Sequence, residues 1–364
     1  MRSRRLVAGT LAAGFVAAGA AADTPHAIAP PNDPLFAAQW PLANREHAGA
    51  DVGALEAWRY TRGSPEVVIA VLDDGVELDH PDLAANIASA GRDFGAGSGG
   101  DASPRTPADR HGTAVAGVVA ARGDNGIGVT GVCPLCRILP IRVEGATNAG
   151  LAAAFRYAVE QGADVITNSW GRAERARLAE DPEVRAAIEL AAHSGRGGRG
   201  TLVVFAVSND AVDNCTNERA DVVSLPEVLA VGASNHRDEV GGSGFGDCLD
   251  LVAPTKPADR STVGVHTADR TGIDGHTSGD YYAGFGGTSA AAPLVAGVAG
   301  LLLSLDPELG REELAAILVR TADKIDPENA AYDAAGFSRR AGHGRVNAAR
   351  AVRAIVERSD ALSR

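Results

Sequence analysis

The sequence predicts an α/β fold: a single domain with a mostly parallel central sheet and helices on both faces. Three observations predict it. Apolar, β-branched runs recur along the chain, helix-period segments separate them, and no stretch between them is long enough to link two independent domains. A chain of 364 residues has room for two average domains, but large α/β domains reach this size too, so the pattern decides the count.

Met1-Arg2-Ser3-Arg4-Arg5 opens the chain, followed by an apolar run from Leu6 to about Ala18 and the small residues Ala20-Ala21-Ala22. This is the order of a secretory signal peptide spanning 1–22. The run contains Gly9, Thr10, Gly14 and Gly19 and falls short of a membrane span of ~20 apolar residues. Arg4-Arg5 is compatible with either the general or the twin-arginine export route. Residues 23–48, rich in Pro and Ala, read as an extended N-terminal arm, 49–358 as the folded domain and 359–364 as a short tail.

Within the domain, a short helical pattern at 54–60 precedes Val67-Val68-Ile69-Ala70-Val71-Leu72, apolar on both faces as a buried parallel strand requires. Strands are expected again at about 137–143, 164–168, 201–207 and 227–232, and helices at about 112–121, 149–161, 183–193, 290–304 and 311–321. Glycine-rich stretches at 95–100, 195–200 and 241–246 read as loops. No segment after the signal is long and apolar enough to be expected in a membrane.

The chain carries a formal charge of −12, and removing the three arginines of residues 1–22, which contain no acid, leaves −15. An acidic surface without a basic, aromatic-interleaved stretch argues against nucleic acid as a partner. Cys133, Cys136, Cys215 and Cys248 are even in number in a chain expected to be exported, so disulfides are the default. Two cysteines cannot complete a zinc site alone, which favours a local bridge for Cys133 and Cys136.

Three motifs carry chemistry. Asp73-Asp74-Gly75 ends the first long strand, where open α/β sheets place their sites. Asp109-Arg110-His111-Gly112-Thr113 opens a small-residue helix, with a glycine that leaves the imidazole accessible. Gly286-Gly287-Thr288-Ser289-Ala290-Ala291-Ala292-Pro293 opens a long apolar helix. A serine there is ordinarily only a cap, but a cap needs neither two preceding glycines nor a proline four residues later. Both fit a nucleophile whose own N–H faces a developing oxyanion.

In this order and with these flanks, the motifs resemble the subtilisin-like serine peptidases over nearly all of the mature chain, from Asn32-Asp33-Pro34 to Gly342-His343-Gly344-Arg345-Val346-Asn347-Ala348-Ala349. The resemblance implies an endopeptidase in which Ser289 is the nucleophile, His111 the general base and Asp73 the orienting carboxylate. It implies that Asn209 completes the oxyanion hole, although Ser208 stands where the family has glycine, and that Ser169-Trp170-Gly171 pairs with the substrate backbone. Asp74 resembles the kexin-like branch, in which acids matching Glu174 and Glu218 attract basic side chains. The resemblance further implies a disulfide between Cys215 and Cys248. It implies a structural calcium ion held by Asp33, Asp82, the side chain of Asn125 and the carbonyls of Arg122, Ile127 and Val129.

The expected protein is therefore a secreted or periplasmic monomer acting on polypeptides, independent of membranes once its signal is removed, with a rate rising through pH ~6.5–7.5 as His111 becomes neutral. The alternative is a catalytically silent binding protein on the same fold. An esterase would show a Gly-x-Ser-x-Gly elbow and the order Ser, Asp, His, and neither is present. Typical relatives carry a propeptide of many tens of residues, against 26 here between Ala22 and Gly49. The kexin branch adds a β-rich domain after the peptidase, whereas this chain ends in a helix near Arg358, so a complete kexin is not expected.

Overall fold

Seven parallel strands form the sheet of the computed structural model, which describes residues 29–96, 99–171, 177–216, 221–257 and 263–362. Residues 1–22, read above as a signal peptide, and Glu174 and Glu218 lie outside the described residues. In chain order the strands are β1 (Val68–Asp73), β2 (Arg92–Asp93), β3 (Arg137–Arg142), β4 (Val165–Asn168), β5 (Leu202–Ala206), β6 (Val228–Ser234) and β7 (Leu251–Pro254), ordered β2-β3-β1-β4-β5-β6-β7. A separate antiparallel hairpin pairs β8 (Val265–Ala268) with β9 (Tyr281–Phe285).

The helices are α1 (Ala54–Ala57), α2 (His111–Ala120), α3 (Asn148–Glu160), α4 (Pro182–Gly198), α5 (Thr288–Leu305), α6 (Arg311–Arg320), α7 (Pro327–Ala330) and α8 (Ala348–Leu362). The last helix reaches four residues past Arg358. The 195–200 loop is visible inside α4, where Gly195, Arg196 and Gly197 leave helical geometry.

Alternation along β1 divides the interior in two. Ile69 and Val71 face a core built with α2, α5 and α8, while Ala70 and Leu72 face a second core built with α3 and α4. Every residue from Ile69 to Asp73 is buried, which is why this run shows no polar face in the sequence. The arm is less extended than expected. Residues 36–38 form a 3₁₀ turn, and Phe36, Trp40 and Leu42 are buried, because apolar side chains of this size stabilise most when removed from water.

One expectation needs correction. By length and composition α5 is apolar enough to cross a bilayer, contrary to the reading of the sequence. Its apolarity is spent on the core instead: 83% of it is buried, against β4, β5, β6 and α2 among others.

Both disulfides are present. Cys133–Cys136 lies buried beside Ile69 and Gly300. Cys215–Cys248 closes a loop 33 residues long in sequence, a span for which cross-linking contributes about 3–4 kcal/mol.

Candidate active site

Asp73 ends β1 and His111 begins α2, and the imidazole Nδ1 lies 2.8 Å from Asp73 Oδ1. The approach depends on Gly112, since a Cβ there would stand 2.3 Å from the Gly75 carbonyl oxygen and 2.9 Å from Asp73 Cβ. Asp74 supplies the helix with its cap. Its two oxygens accept the N–H groups of His111 (3.0 Å) and Gly112 (2.7 Å), donors that the helix cannot satisfy itself. The loop before His111 is pinned by Asp109, whose carboxylate accepts from Arg142 (2.8 Å) in a buried ion pair.

These contacts set the charges. Burial disfavours the charged imidazole, but the negative charge of Asp73, its hydrogen bond and the charge of Asp74 outweigh burial and raise His111 to about 9, which moves the expected rise in rate above the pH ~6.5–7.5 window of an ordinary histidine. Burial and the neighbouring Asp73 push the Asp74 carboxyl up to about 7.

Ser289 lies in the first turn of α5, and Gly287, Thr288 and Pro293 of its motif each have a contact that accounts for them. Gly287 sits at φ +66°, and a Cβ there would meet Asn209 Oδ1 at 2.6 Å. The Thr288 N–H donates to Asn209 Oδ1 (2.8 Å), and the Thr288 hydroxyl donates to the Val207 carbonyl (2.6 Å). Asn209 is thereby held by its oxygen, its NH₂ group takes no part in these bonds, and the residue lines the cleft described below. Pro293 has no N–H, so the Ser289 carbonyl four residues earlier loses its helical donor. Ser169 Oγ donates to that carbonyl at 3.0 Å, and Ser289 Oγ donates back to the Ser169 carbonyl at 3.2 Å.

Two clefts meet at Ser169, Trp170 and Gly171. One, of about 510 Å³, is lined by Asp73, Asp74, His111 and Glu144. The other, of about 430 Å³, is lined by Asn209, Asn214, Asp221 and Ser289. A Cβ on Gly171 would meet nothing within 4 Å, so the backbone opens there. Ser208, standing for the family glycine, does not have a positive φ. Its N–H and hydroxyl both donate to Asn214 Oδ1 (3.2 and 2.9 Å), which fixes the turn without glycine.

Asp221 was not singled out in the sequence. It lines the second cleft with its carboxyl raised by burial, and it accepts the Ala179 N–H at 2.9 Å. The available signal was an acid directly before the apolar pair Val222-Val223.

The residues expected around calcium converge. Asp33 and Asp82 are buried, and burial raises both carboxyls, with the negative charge of Asp82 raising Asp33 further. Asp33 accepts the N–H groups of Asp124 (2.9 Å) and Asn125 (3.2 Å), while Asp82 accepts from the Val129 N–H (2.8 Å) and Asn125 Nδ2 (2.7 Å). The Arg122 N–H donates to the Asp82 carbonyl (2.7 Å), and the Ile127 N–H to Asn125 Oδ1 (3.0 Å). Asn125 thus turns its NH₂, not its oxygen, towards Asp82. The donor set still fits a hard divalent cation in kind, because two buried acids and a curled loop bring oxygens together where negative charge is under-compensated.

The chain spans about half the length of curated relatives it matches. It is 34% identical to a calcium-dependent protease of Trichormus variabilis, covering 87% of this chain and 51% of that protein. It is 32% identical to kexin of Saccharomyces cerevisiae, covering 87% and 39% respectively. Among solved structures, a protease of Pseudoalteromonas arctica superposes with a TM-score of 0.72 at 29% identity, covering 90% of this chain and all of the other. The serine protease of Aeromonas sobria bound to its chaperone gives 0.80 at 23% identity, covering 90% and 68%, a likeness of fold. The profile described as the Subtilase family matches residues 64–344, so that fold, motif order and profile agree: the chain belongs to the subtilase family.

Proposed function

We propose that this chain is an exported serine endopeptidase that hydrolyses polypeptides through an acyl-enzyme on Ser289. The observation that carries the reading is the Asp73–His111 hydrogen bond at the wall of one cleft, with Ser289 and Asn209 lining the cleft that adjoins it.

Ser289 Oγ leaves its bond to the Ser169 carbonyl and gives its proton to His111 Nε2 as it attacks the scissile carbonyl carbon. Asp73 holds Nδ1–H and stabilises the imidazolium that results. The oxyanion takes hydrogen bonds from the Asn209 NH₂ and from the Ser289 N–H, one of the unpaired donors of the first turn of α5. His111 then returns the proton to the leaving amine. Water repeats the sequence in reverse to release the acyl group. The segment Ser169-Trp170-Gly171 offers its edge to the substrate backbone.

Acids line both clefts, Asp221 in one and Asp74 and Glu144 in the other, so the favoured residues near the cut are Lys and Arg. In this reading Asp221 contributes to the selectivity that the resemblance implies for Glu174 and Glu218. Calcium is the proposed structural ion at Asp33 and Asp82, where its charge would offset the repulsion between them. The working unit is a monomer, since one chain supplies every group used. Two disulfides fit an oxidising compartment, in keeping with export directed by residues 1–22.

The test is digestion of a random peptide mixture by the purified protein and by Ser289→Ala, His111→Ala and Asp73→Ala, with and without a serine-directed reagent. The expected loss on removing Ser289 is of order 10⁴–10⁶. Full activity in Ser289→Ala would refute the mechanism.

A further inference from the structure

Glu46, His47 and His236 belong to segments far apart in the chain, yet one donor atom from each lies within 4.8 Å of the other two. Glu46 and His47 follow the buried arm residues Trp40 and Leu42, and His236 stands in the turn after β6. None of them touches the chemistry proposed above.

A single buried side chain organises all three. Asn44 Oδ1 accepts the N–H groups of Glu46 (3.1 Å) and His47 (2.9 Å), and Asn44 Nδ2 donates to the His236 carbonyl (2.8 Å) and to the Ala50 carbonyl (3.0 Å). The full hydrogen-bonding capacity of one amide is thus used to hold the backbones of these residues together. The turn bearing His236 is fixed independently. Asn235 Oδ1 accepts the N–H groups of Arg237 (2.9 Å) and Glu239 (3.0 Å), and Asn235 Nδ2 donates to the Glu239 carboxylate (2.7 Å). The His236 ring packs edge-on against His47 at 5.4 Å and against Trp40 at 6.0 Å. The backbones are therefore set before any ligand arrives, as a preorganised site requires.

We propose that Glu46, His47 and His236 form a binding site for a late first-row divalent ion, represented by zinc, that clamps the N-terminal segment to the turn after β6. Two imidazoles and a carboxylate suit such an ion and do not suit calcium, which takes oxygen ligands. Donors around a tetrahedral zinc stand roughly 3.3 Å apart. The donors, already within 4.8 Å of one another, need to approach by at most about 1.5 Å to reach that spacing, and all three side chains keep access to solvent. Three protein ligands leave a fourth position for water.

The experiment uses the full Ser289→Ala chain, stripped of metal and then saturated with calcium, so that neither activity nor the Asp33–Asp82 region enters the result. Zinc chloride is titrated calorimetrically, and thermal midpoints are recorded with and without zinc. The expected result is one zinc per chain and a raised midpoint, with affinity weakened roughly tenfold or more in His47→Ala and in His236→Ala and the zinc-dependent rise lost. His47→Gln, closer in size, separates ligand loss from misfolding, and circular dichroism checks each variant. Absence of stoichiometric zinc binding, or affinity in both histidine variants equal to that of the Ser289→Ala parent, would overturn the site. Binding without a change in midpoint would overturn the clamp.

Discussion

Replacing Asp74 by Asn should move the acid limb of the pH–rate profile downward. In the parent, the charges of Asp73 and Asp74 keep His111 protonated to about 9 against the effect of burial, and Asp74 is the smallest of the raising influences. Asp74 itself ionises at about 7, so its charge is present where His111 titrates. Removing that charge should lower the histidine by about half a unit to one unit. Two units below its pKa a base is about one part in a hundred neutral, and each unit removed raises that share about tenfold. At pH 8, where Asp74 is mostly ionised and His111 still mostly protonated, the variant should therefore show kcat/KM raised about two- to fivefold. Above pH 10 the balance reverses. An amide oxygen can replace only one of the two acceptors that hold the His111 and Gly112 N–H groups, and losing a hydrogen bond of about 1 kcal/mol costs about fivefold. The assay is kcat/KM from pH 5 to 10.5 on a peptide with a neutral residue next to the cleavage residue, because Asp74 also lines the cleft. An acid limb at the parent's midpoint, or at a higher pH, would refute the electrostatic account of His111.

Asn209→Ala should lower kcat by ~10²–10³ with little change in KM, measured by initial rates, because the lost donor acts on the oxyanion and not on the bound substrate. Asp221→Asn should reduce the preference for Lys or Arg before the cut, read as the ratio of kcat/KM for an arginyl and a leucyl peptide; an unchanged ratio would free Asp221 of that role. In the Ser289→Ala background, chelator should lower the thermal midpoint and Asp82→Ala should abolish the response to calcium, whereas equal midpoints with calcium and with chelator would remove the ion from Asp33 and Asp82.

The strands that could be read from the sequence were those buried on both faces. Val68–Asp73 and Arg137–Arg142 lie within a residue or so of expectation because their register forces an unbroken apolar run. β2 escaped because it has two residues, Arg92 and Asp93, too few to show a period. β7 escaped because Asp250 interrupts its apolar run just before it begins, a position explained only by the Ala230 N–H that its carboxylate accepts at 2.7 Å. The β8–β9 hairpin is half exposed and rich in Tyr and Gly, and its pairing shifts register between Val265 and Thr267. The same division holds around the site. His111 and Ser289 sit in local motifs whose neighbours are themselves constrained, whereas Asp221 has no local motif. Glu46 and His236 stand 190 positions apart in the sequence, and only the fold brings them together.

The serine motif was legible because each of its residues answers to a different contact, and those contacts form one chain across the sheet. Gly287 lets Asn209 approach, Thr288 fixes the Asn209 oxygen and ties α5 to the end of β5, and Pro293 releases the Ser289 carbonyl to Ser169 at the end of β4. Position by position these are a turn glycine, a threonine at the first helical position and a proline in a buried helix, none of which alone marks a catalytic site. Their joint effect is to lock the first turn of α5 to the ends of two neighbouring strands, so that the proposed nucleophile, the oxyanion donor and the substrate-pairing segment move as one body. Pro293→Ala should restore a helical N–H to the Ser289 carbonyl and release Ser169. By this reasoning it weakens catalysis while leaving the helix at least as stable, an opposition that a cap serine on an ordinary core helix would not show.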